Sequence, residues 1–185
     1  GAFSDPGDAL TVLTGAPVEY RECATARKHA GVSEQLWQRV CTTVDAGYVV
    51  CAGTSGSRQS QADDLMKMGL EPLRAYAIAA AVQVRVGSDK TQRLIQLRSP
   101  SSNTVWQGDW GPESPLWTTA IRAEMTGKCD TGAEQGCFWM AWDEFLVHFH
   151  GIYICLCRAD WQRSADRTCV NVQPSRFRPD FRYSL

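Results

Sequence analysis

A long run of β-prone residues in the middle of the chain constrains the fold more than any other feature. Residues 76–86 (YAIAAAVQVRV) precede a turn signal at 87–90 (GSDK), and a second apolar run follows at 94–98. Two such runs joined by a short segment containing glycine favour an antiparallel hairpin. We therefore expect an antiparallel sheet against which helices can pack.

Two other segments have features of helices. Ser33 is expected to cap a helix whose apolar residues recur at helical spacing and which ends near Gly47. Asp143 is expected to cap a shorter helix that runs through Phe149, followed by an apolar strand at 152–157. One longer early helix, short helices and antiparallel strands predict an α+β domain.

Composition excludes several broad classes of protein. The 185 residues suffice for one well-buried domain, with 44% hydrophobic and 21% charged residues. A net charge of −1 gives no general attraction to nucleic acid or to a membrane surface. The sequence contains no apolar run long enough for a membrane span, so we expect none.

Eight cysteines require a choice between disulfides, metal ligands and reduced thiols. Several lie within apolar helix or strand patterns, where cysteine behaves as a small hydrophobe. The sequence has no CxxC pair, which disfavours a zinc site. We expect reduced thiols in a cytoplasmic protein, and only Cys129 and Cys137 are candidates for a bridge.

Six segments, taken in order, resemble the second half of a calpain protease core. They are DALTVLTGAP at 8–17, the helix at 33–44 with AGYVVCAGTSGS at 46–57, GLEPLRAY at 69–76, LRSPSSNTVWQGDW at 97–110, GCFWMAWDEF at 136–145 and IYICLC at 152–157. The resemblance implies a papain-like β-sheet half-domain that normally bears the catalytic histidine and asparagine. It implies this subdomain over residues 1–157, with 158–185 as a linker or the start of a following domain.

Both catalytic positions are replaced in this resemblance. Arg74 stands where the family has histidine, Ser99 where it has the orienting asparagine, and Ser101 where it has a shielding tryptophan. A guanidinium stays charged and cannot exchange a proton near neutral pH. The Gly-Asp-Cys-Trp context of the nucleophile does not occur in the chain, and we interpret the three histidines as surface or helix-end residues.

The family's calcium positions are also changed. They match Val105, Pro112, Gln135 and Cys137, none of which supplies a carboxylate. We therefore expect no metal site, no cofactor and behaviour that does not depend on calcium.

Three functional hypotheses remain open at this point. The first is a catalytically inactive half-domain that serves as a scaffold or protein-interaction module, with a groove at Arg74, Ser99, Ser101 and Trp106. Its partners would be a cysteine-bearing protease-core half, other domains of a parent chain, or a peptide or protein. The second is part of an active calpain-type endopeptidase, and the third is an unrelated disulfide-linked binding domain.

The last 28 residues differ in composition from the rest. Six arginines and three aspartates are interleaved with aromatic residues at 158–185. A solvated linker is one interpretation, and a basic tail that binds an acidic partner is the other.

Overall fold

The computed structural model describes residues 5–87, 90–101, 106–125 and 136–158. These ranges contain six helices and six strands, which confirms the predicted α+β class. In chain order they are α1 Pro6–Thr14, β1 Val18–Glu22, α2 Cys23–Lys28, α3 Ala30–Asp45, β2 Tyr48–Thr54, α4 Gln59–Lys67, β3 Ala75–Arg85, β4 Thr91–Arg98, α5 Thr119–Met125, β5 Cys137–Ala141, α6 Trp142–His148 and β6 Phe149–Arg158.

The strands form one antiparallel sheet in the order β1-β6-β2-β3-β4-β5. The predicted hairpin is confirmed as β3 and β4, which pair from Arg85 opposite Thr91 to Ala77 opposite Arg98. The last strand, β6, lies between β1 and β2. The two ends of the described chain are therefore held together by strand pairing.

A bulge in β3 divides the apolar core between the two faces of the sheet. The register of β3 against β4 shifts between Ile78 and Ala80. Since side chains alternate between faces, one extra residue moves every later side chain to the opposite face. Accordingly Ile78 packs in the main core with the helices α3 and α6, whereas Val84 packs in a second cluster under residues 110–125.

The helix that we expected Ser33 to cap begins at Ala30, and its N-cap is His29, four residues before Ser33. Ser33 is not a cap. Its hydroxyl oxygen accepts a hydrogen bond of 2.9 Å from the indole Nε1 of Trp142, which is buried. The residue therefore joins α3 to α6 across 109 positions of sequence.

The helix expected from Asp143 to Phe149 is α6, but its cap is also different. Ala141 is the N-cap and gives no side-chain hydrogen bond. Asp143 lies in the first turn, where a carboxylate still interacts favourably with the helix dipole. Phe149 already begins β6, so the strand starts three residues before its predicted beginning.

Of the six described cysteines, all free thiols, three are buried and three are partly buried. Burial raises the pKa of Cys23 to about 12, and burial together with Cys155 and Asp5 does the same for Cys51. Burial, with Asp45 adding to it, raises the pKa of Cys41 to about 11. Cys129, and with it the candidate bridge to Cys137, lies outside the described residues.

We expect Ser33→Ala to lower the free energy of unfolding by about 1–3 kcal/mol, because the buried indole N–H of Trp142 loses its acceptor. Urea unfolding gives the difference. The same substitution in a Trp142→Phe background is the control, since no donor is then left unpaired. Equal losses in the two backgrounds would contradict this role for the hydroxyl.

Candidate functional site

The candidate site lies at one end of the central strands, where β2 ends and β3 begins. Arg74 directly precedes β3, and its backbone N–H donates to the Thr54 hydroxyl over 3.0 Å. The backbone N–H of Thr54 donates to the Arg74 carbonyl over 2.9 Å, and its hydroxyl donates to the Glu71 carbonyl over 2.7 Å. Thr54 is buried, so these bonds hold the 71–74 loop in place whatever side chain stands at position 74.

The side chain of Arg74 is accessible, with 49% of its surface exposed. Its Nε donates to a carboxylate oxygen of Glu71 over 3.1 Å. An exposed pair of this kind contributes about 0–1 kcal/mol to stability. The guanidinium is thus held by a weak local pair that a stronger acidic ligand can displace.

The residue before Arg74 has a strained backbone. Leu73 takes a φ of 54°, in the left-handed region where a Cβ costs about 1–2 kcal/mol. Its N–H donates to the carbonyl of Ser55 over 3.0 Å. The strain is therefore maintained by a contact between the loop and the residue that follows β2.

Ser99 and Ser101 lie at the end of β4, on the strand that pairs with β3. The pairing of Ala77 with Arg98 places Ser99 at the same end of the sheet as Arg74. The Ser99 N–H donates to the carbonyl of Gly136 over 2.8 Å, and its hydroxyl oxygen accepts from the N–H of Ser101 over 3.2 Å. Positions 74 and 99 thus lie at the ends of two neighbouring strands.

Trp106, the fourth candidate contact of the groove, is only 1% exposed. Its indole Nε1 donates to the Asp109 carbonyl over 2.8 Å, and its ring packs edge-on against His148 at 5.2 Å. A Cβ built on Gly108 would overlap the six-membered ring of Trp106. The spacing W-x-G therefore serves packing, and Trp106 supports the site from within the core without a surface for a ligand.

Two of the four positions matched to calcium ligands, Val105 and Gln135, lie outside the described residues. Pro112 is exposed on a loop, and Cys137 begins β5. Within the ranges that the structure describes, no group of three or more His, Cys, Asp or Glu side chains could hold a metal ion.

The three histidines have distinct structural roles. His29 is the N-cap of α3, and His148 lies in the last turn of α6 with its Nε2 3.3 Å from a Glu144 carboxylate oxygen. His150 lies at the start of β6, half-buried against Gly53, which is a more enclosed position than the sequence suggested.

His150 belongs to a hydrogen-bonded chain that sequence reasoning missed. The Tyr153 hydroxyl donates to the Asp5 carboxylate over 3.0 Å, so its oxygen accepts from Nε2 of His150, also over 3.0 Å. Burial and the bond to Asp5 raise the pKa of Tyr153, which keeps its proton. Asp5 is 148 residues from Tyr153 in sequence, so no local pattern could have indicated the chain.

We expect Gly108→Ala to lower the free energy of unfolding by about 1–3 kcal/mol or more, because the new methyl group overlaps the buried ring of Trp106. Gly31→Ala is the matched control, since a Cβ there meets no atom within 4 Å and alanine favours a helix. Urea unfolding of both variants tests the packing role. A Gly108→Ala protein as stable as the parent would contradict it.

Comparison with known proteins shows the family. Residues 3–156 match the model of the calpain family cysteine protease domain. The chain is 32% identical over 150 residues to the calpain-type cysteine protease DEK1 of Arabidopsis thaliana, covering 80% of this chain and 6% of that protein. It is 25% identical over 138 residues to calpain-5 of Caenorhabditis elegans, covering 65% of this chain and 21% of that protein.

These matches remove the hypothesis of an unrelated disulfide-linked domain. The chain spans less than a quarter of the length of either relative. None of the helices that the structure describes has the length and apolar character needed to cross a membrane. The chain belongs to the calpain family of cysteine proteases.

Proposed function

We propose that this chain is a catalytically inactive calpain half-domain that acts as a scaffold or protein-interaction module within a larger protein. The observation that carries the proposal is the pair of replaced positions, Arg74 and Ser99. They lie at one end of two neighbouring strands in an otherwise intact frame. The extent proposed for the half-domain is 1–157, with 158–185 leading to a further domain.

The chemistry of the replaced side chains explains the loss of catalysis. A papain-type reaction needs an imidazole to activate the thiol and to protonate the leaving amine. The guanidinium of Arg74 stabilises negative charge but transfers no proton near neutral pH. The Ser99 hydroxyl has a shorter reach than an asparagine amide, and its oxygen already accepts from the backbone of Ser101.

The exposed outer face of β3 supports a binding role. Ala75, Ala77 and Ala79 are exposed on this central strand, and Val49 of β2 is 41% exposed. Arg74 adds a positive charge at the end of the same strand. An apolar strip with a cation at one end suits a second protein domain or an extended peptide that carries an acidic group.

The proposed partners are the cysteine-bearing half of a protease core, other domains of the parent chain, or a separate peptide. The small share of each relative that the chain covers supports a role within a larger assembly.

A cytoplasmic location and independence from calcium complete the proposal. They are supported by buried thiols with raised pKa values and by the uncharged side chains of Pro112 and Cys137 at two positions matched to calcium ligands.

An active endopeptidase is the second candidate, and His150 is the observation that favours it. Its ring lies against Gly53, whose partner across β2 and β3 is Ala75, the residue after Arg74. The Tyr153–Asp5 pair orients the imidazole. In this candidate, His150 supplies the missing base.

We expect no peptide hydrolysis when this chain is mixed with the cysteine-bearing half of an active calpain, with or without calcium. The reason is the absence of a base at position 74. The triple variant Arg74→His, Ser99→Asn, Ser101→Trp restores the family residues and is expected to gain activity in the same mixture. Cleavage of a fluorogenic peptide measures both.

Turnover by the unaltered chain that a thiol-alkylating reagent abolishes would overturn the inactive assignment. His150→Ala then separates the two candidates. Loss of that turnover in His150→Ala, with an unchanged melting temperature, would establish the second candidate.

We expect binding of extended peptides to depend on an acidic residue near Arg74. Peptides in matched pairs that differ only by Glu or Gln at one position are the probe, and affinity is measured by fluorescence polarisation. Arg74→Ala should remove the preference for Glu, a loss of about 1.5–3 kcal/mol for a hydrogen bond to a charged group. The melting temperature should change little, because the Arg74–Glu71 pair is exposed.

Glu71→Gln is a control variant that should change the preference for Glu in the opposite direction. It releases Arg74 from its local carboxylate, so the preference for Glu should increase. An Arg74→Ala protein that keeps the preference, or loses stability sharply, would show that Arg74 has a structural role only.

A further inference from the structure

The strand β1 forms one edge of the sheet. Within the described ranges it pairs only with β6, from Val18 opposite Cys155 to Glu22 opposite Gly151. An edge strand presents unpaired N–H and C=O groups that can add another strand.

The register identifies the backbone groups that point outward. Leu156 donates its N–H to the carbonyl of Pro17, the residue opposite it. Because hydrogen-bonded and non-bonded pairs alternate along an antiparallel ladder, Glu19 and Arg21 also direct their backbone groups towards β6. Val18, Tyr20 and Glu22 therefore direct theirs to the open edge.

We propose that β1 pairs antiparallel with β1 of a second copy of this chain, about a two-fold axis at Tyr20. In this register Tyr20 lies opposite Tyr20 of the other copy, and each Val18 lies opposite a Glu22. The two Tyr20 residues exchange two hydrogen bonds, and each Glu22 N–H donates to a Val18 carbonyl. The Glu22 carbonyl is left for α2, since Glu22 is the N-cap of that helix.

Charge makes this register self-complementary. Glu19 and Arg21 flank Tyr20 symmetrically, so the two-fold axis places each Glu19 opposite an Arg21 of the other copy. Opposite charges directly across a pair of strands are favourable. An unrelated strand would meet this requirement only by chance, whereas a second copy meets it twice.

The two side chains differ in exposure: Glu19 is 18% exposed and its carboxylate already accepts from Arg39 over 2.6 Å, whereas Arg21 is the more open partner. Arg21 is 58% exposed, and its Nε donates to Glu19 over 2.9 Å, which leaves its two terminal nitrogens without a partner among the described residues. Burial raises the pKa of Glu19, but hydrogen bonds and the charges of Arg39 and Arg21 outweigh it, so the net pKa is lowered. Glu19 is therefore ionised at neutral pH.

Both faces of the sheet have space for the second copy. On the α3 side, a groove of about 590 Å³ lies between β1 and residues including Val32, Gln35 and Arg39. On the other face, α1 packs over β1 and β6 and exposes Val12 by 82% and Leu13 by 72%. A second copy would bring its own α1 to the same face, where these apolar side chains could be covered.

Sedimentation velocity of the chain over a range of concentrations tests the proposal, which does not rest on the loss of catalysis. We expect reversible dimers. Arg21→Glu should weaken dimerisation about tenfold or more, because two favourable cross-strand pairs become repulsive. Arg58→Glu, an equal change of charge at the exposed N-cap of α4, should leave it unchanged.

Mixing two variants of opposite charge is the decisive experiment. Arg21→Glu places acids at both 19 and 21, and Glu19→Arg places bases at both, so each variant alone should be monomeric and the mixture should form heterodimers. If the unsubstituted chain is monomeric at the highest concentration reached, the proposal is overturned. So would a dimer that is unaffected by Arg21→Glu.

A cross-linking experiment tests the register even if a charge variant fails to fold. Residues in a hydrogen-bonded pair have Cα atoms about 5.5 Å apart, within the range of a disulfide. Under mild oxidation Tyr20→Cys should form covalent dimers faster than the unsubstituted chain. It should also react faster than Val18→Cys, because position 18 lies opposite Glu22 and not opposite a second cysteine. Equal rates for the three proteins would exclude this register.

Discussion

One extra residue in β3, between Ile78 and Ala80, determines how the rest of the structure is arranged. Without the bulge, a single face of β3 would carry every large apolar side chain, and the other face would carry alanines followed by Gln83 and Arg85. With it, the first half of the strand contributes to the core under α3 and α6, and the second half to the cluster covered by 110–125. The outer face of the first half is left uncovered, and the candidate site lies at its end.

The frame of the site is stabilised mainly by backbone contacts at positions 74 and 99 and by packing beneath them. Thr54 binds the backbone of residues 71 and 74, and Gly136 accepts from the backbone of Ser99. Trp106 packs on Gly108 and His148 from inside the core. Other side chains at positions 74 and 99 would therefore leave these backbone contacts in place.

Leu73 and the edge strand β1 both have an unfavourable feature, but only that of Leu73 is compensated by a contact within the domain. Leu73 is held by one hydrogen bond to Ser55, so its conformation belongs to the domain alone. The open side of β1 has no such partner within the described residues, and its unpaired backbone groups are satisfied only by water or another strand. The backbone conformation of Leu73 costs free energy within the domain, whereas the open edge of β1 can pair with another strand.

The sequence by itself determined the hairpin, the α+β class and the family, because strand patterns, turns and motifs are local. Only the tertiary structure decided that Ser33 binds Trp142, that Trp106 is buried and that His150 joins Tyr153 and Asp5. Ser33 resembled a cap because its residue type suits both roles, and its true partner is 109 positions away. The sequence also did not predict the bulge, because the alanines at 79–81 fit either face of the sheet. The register there is set by packing against both cores.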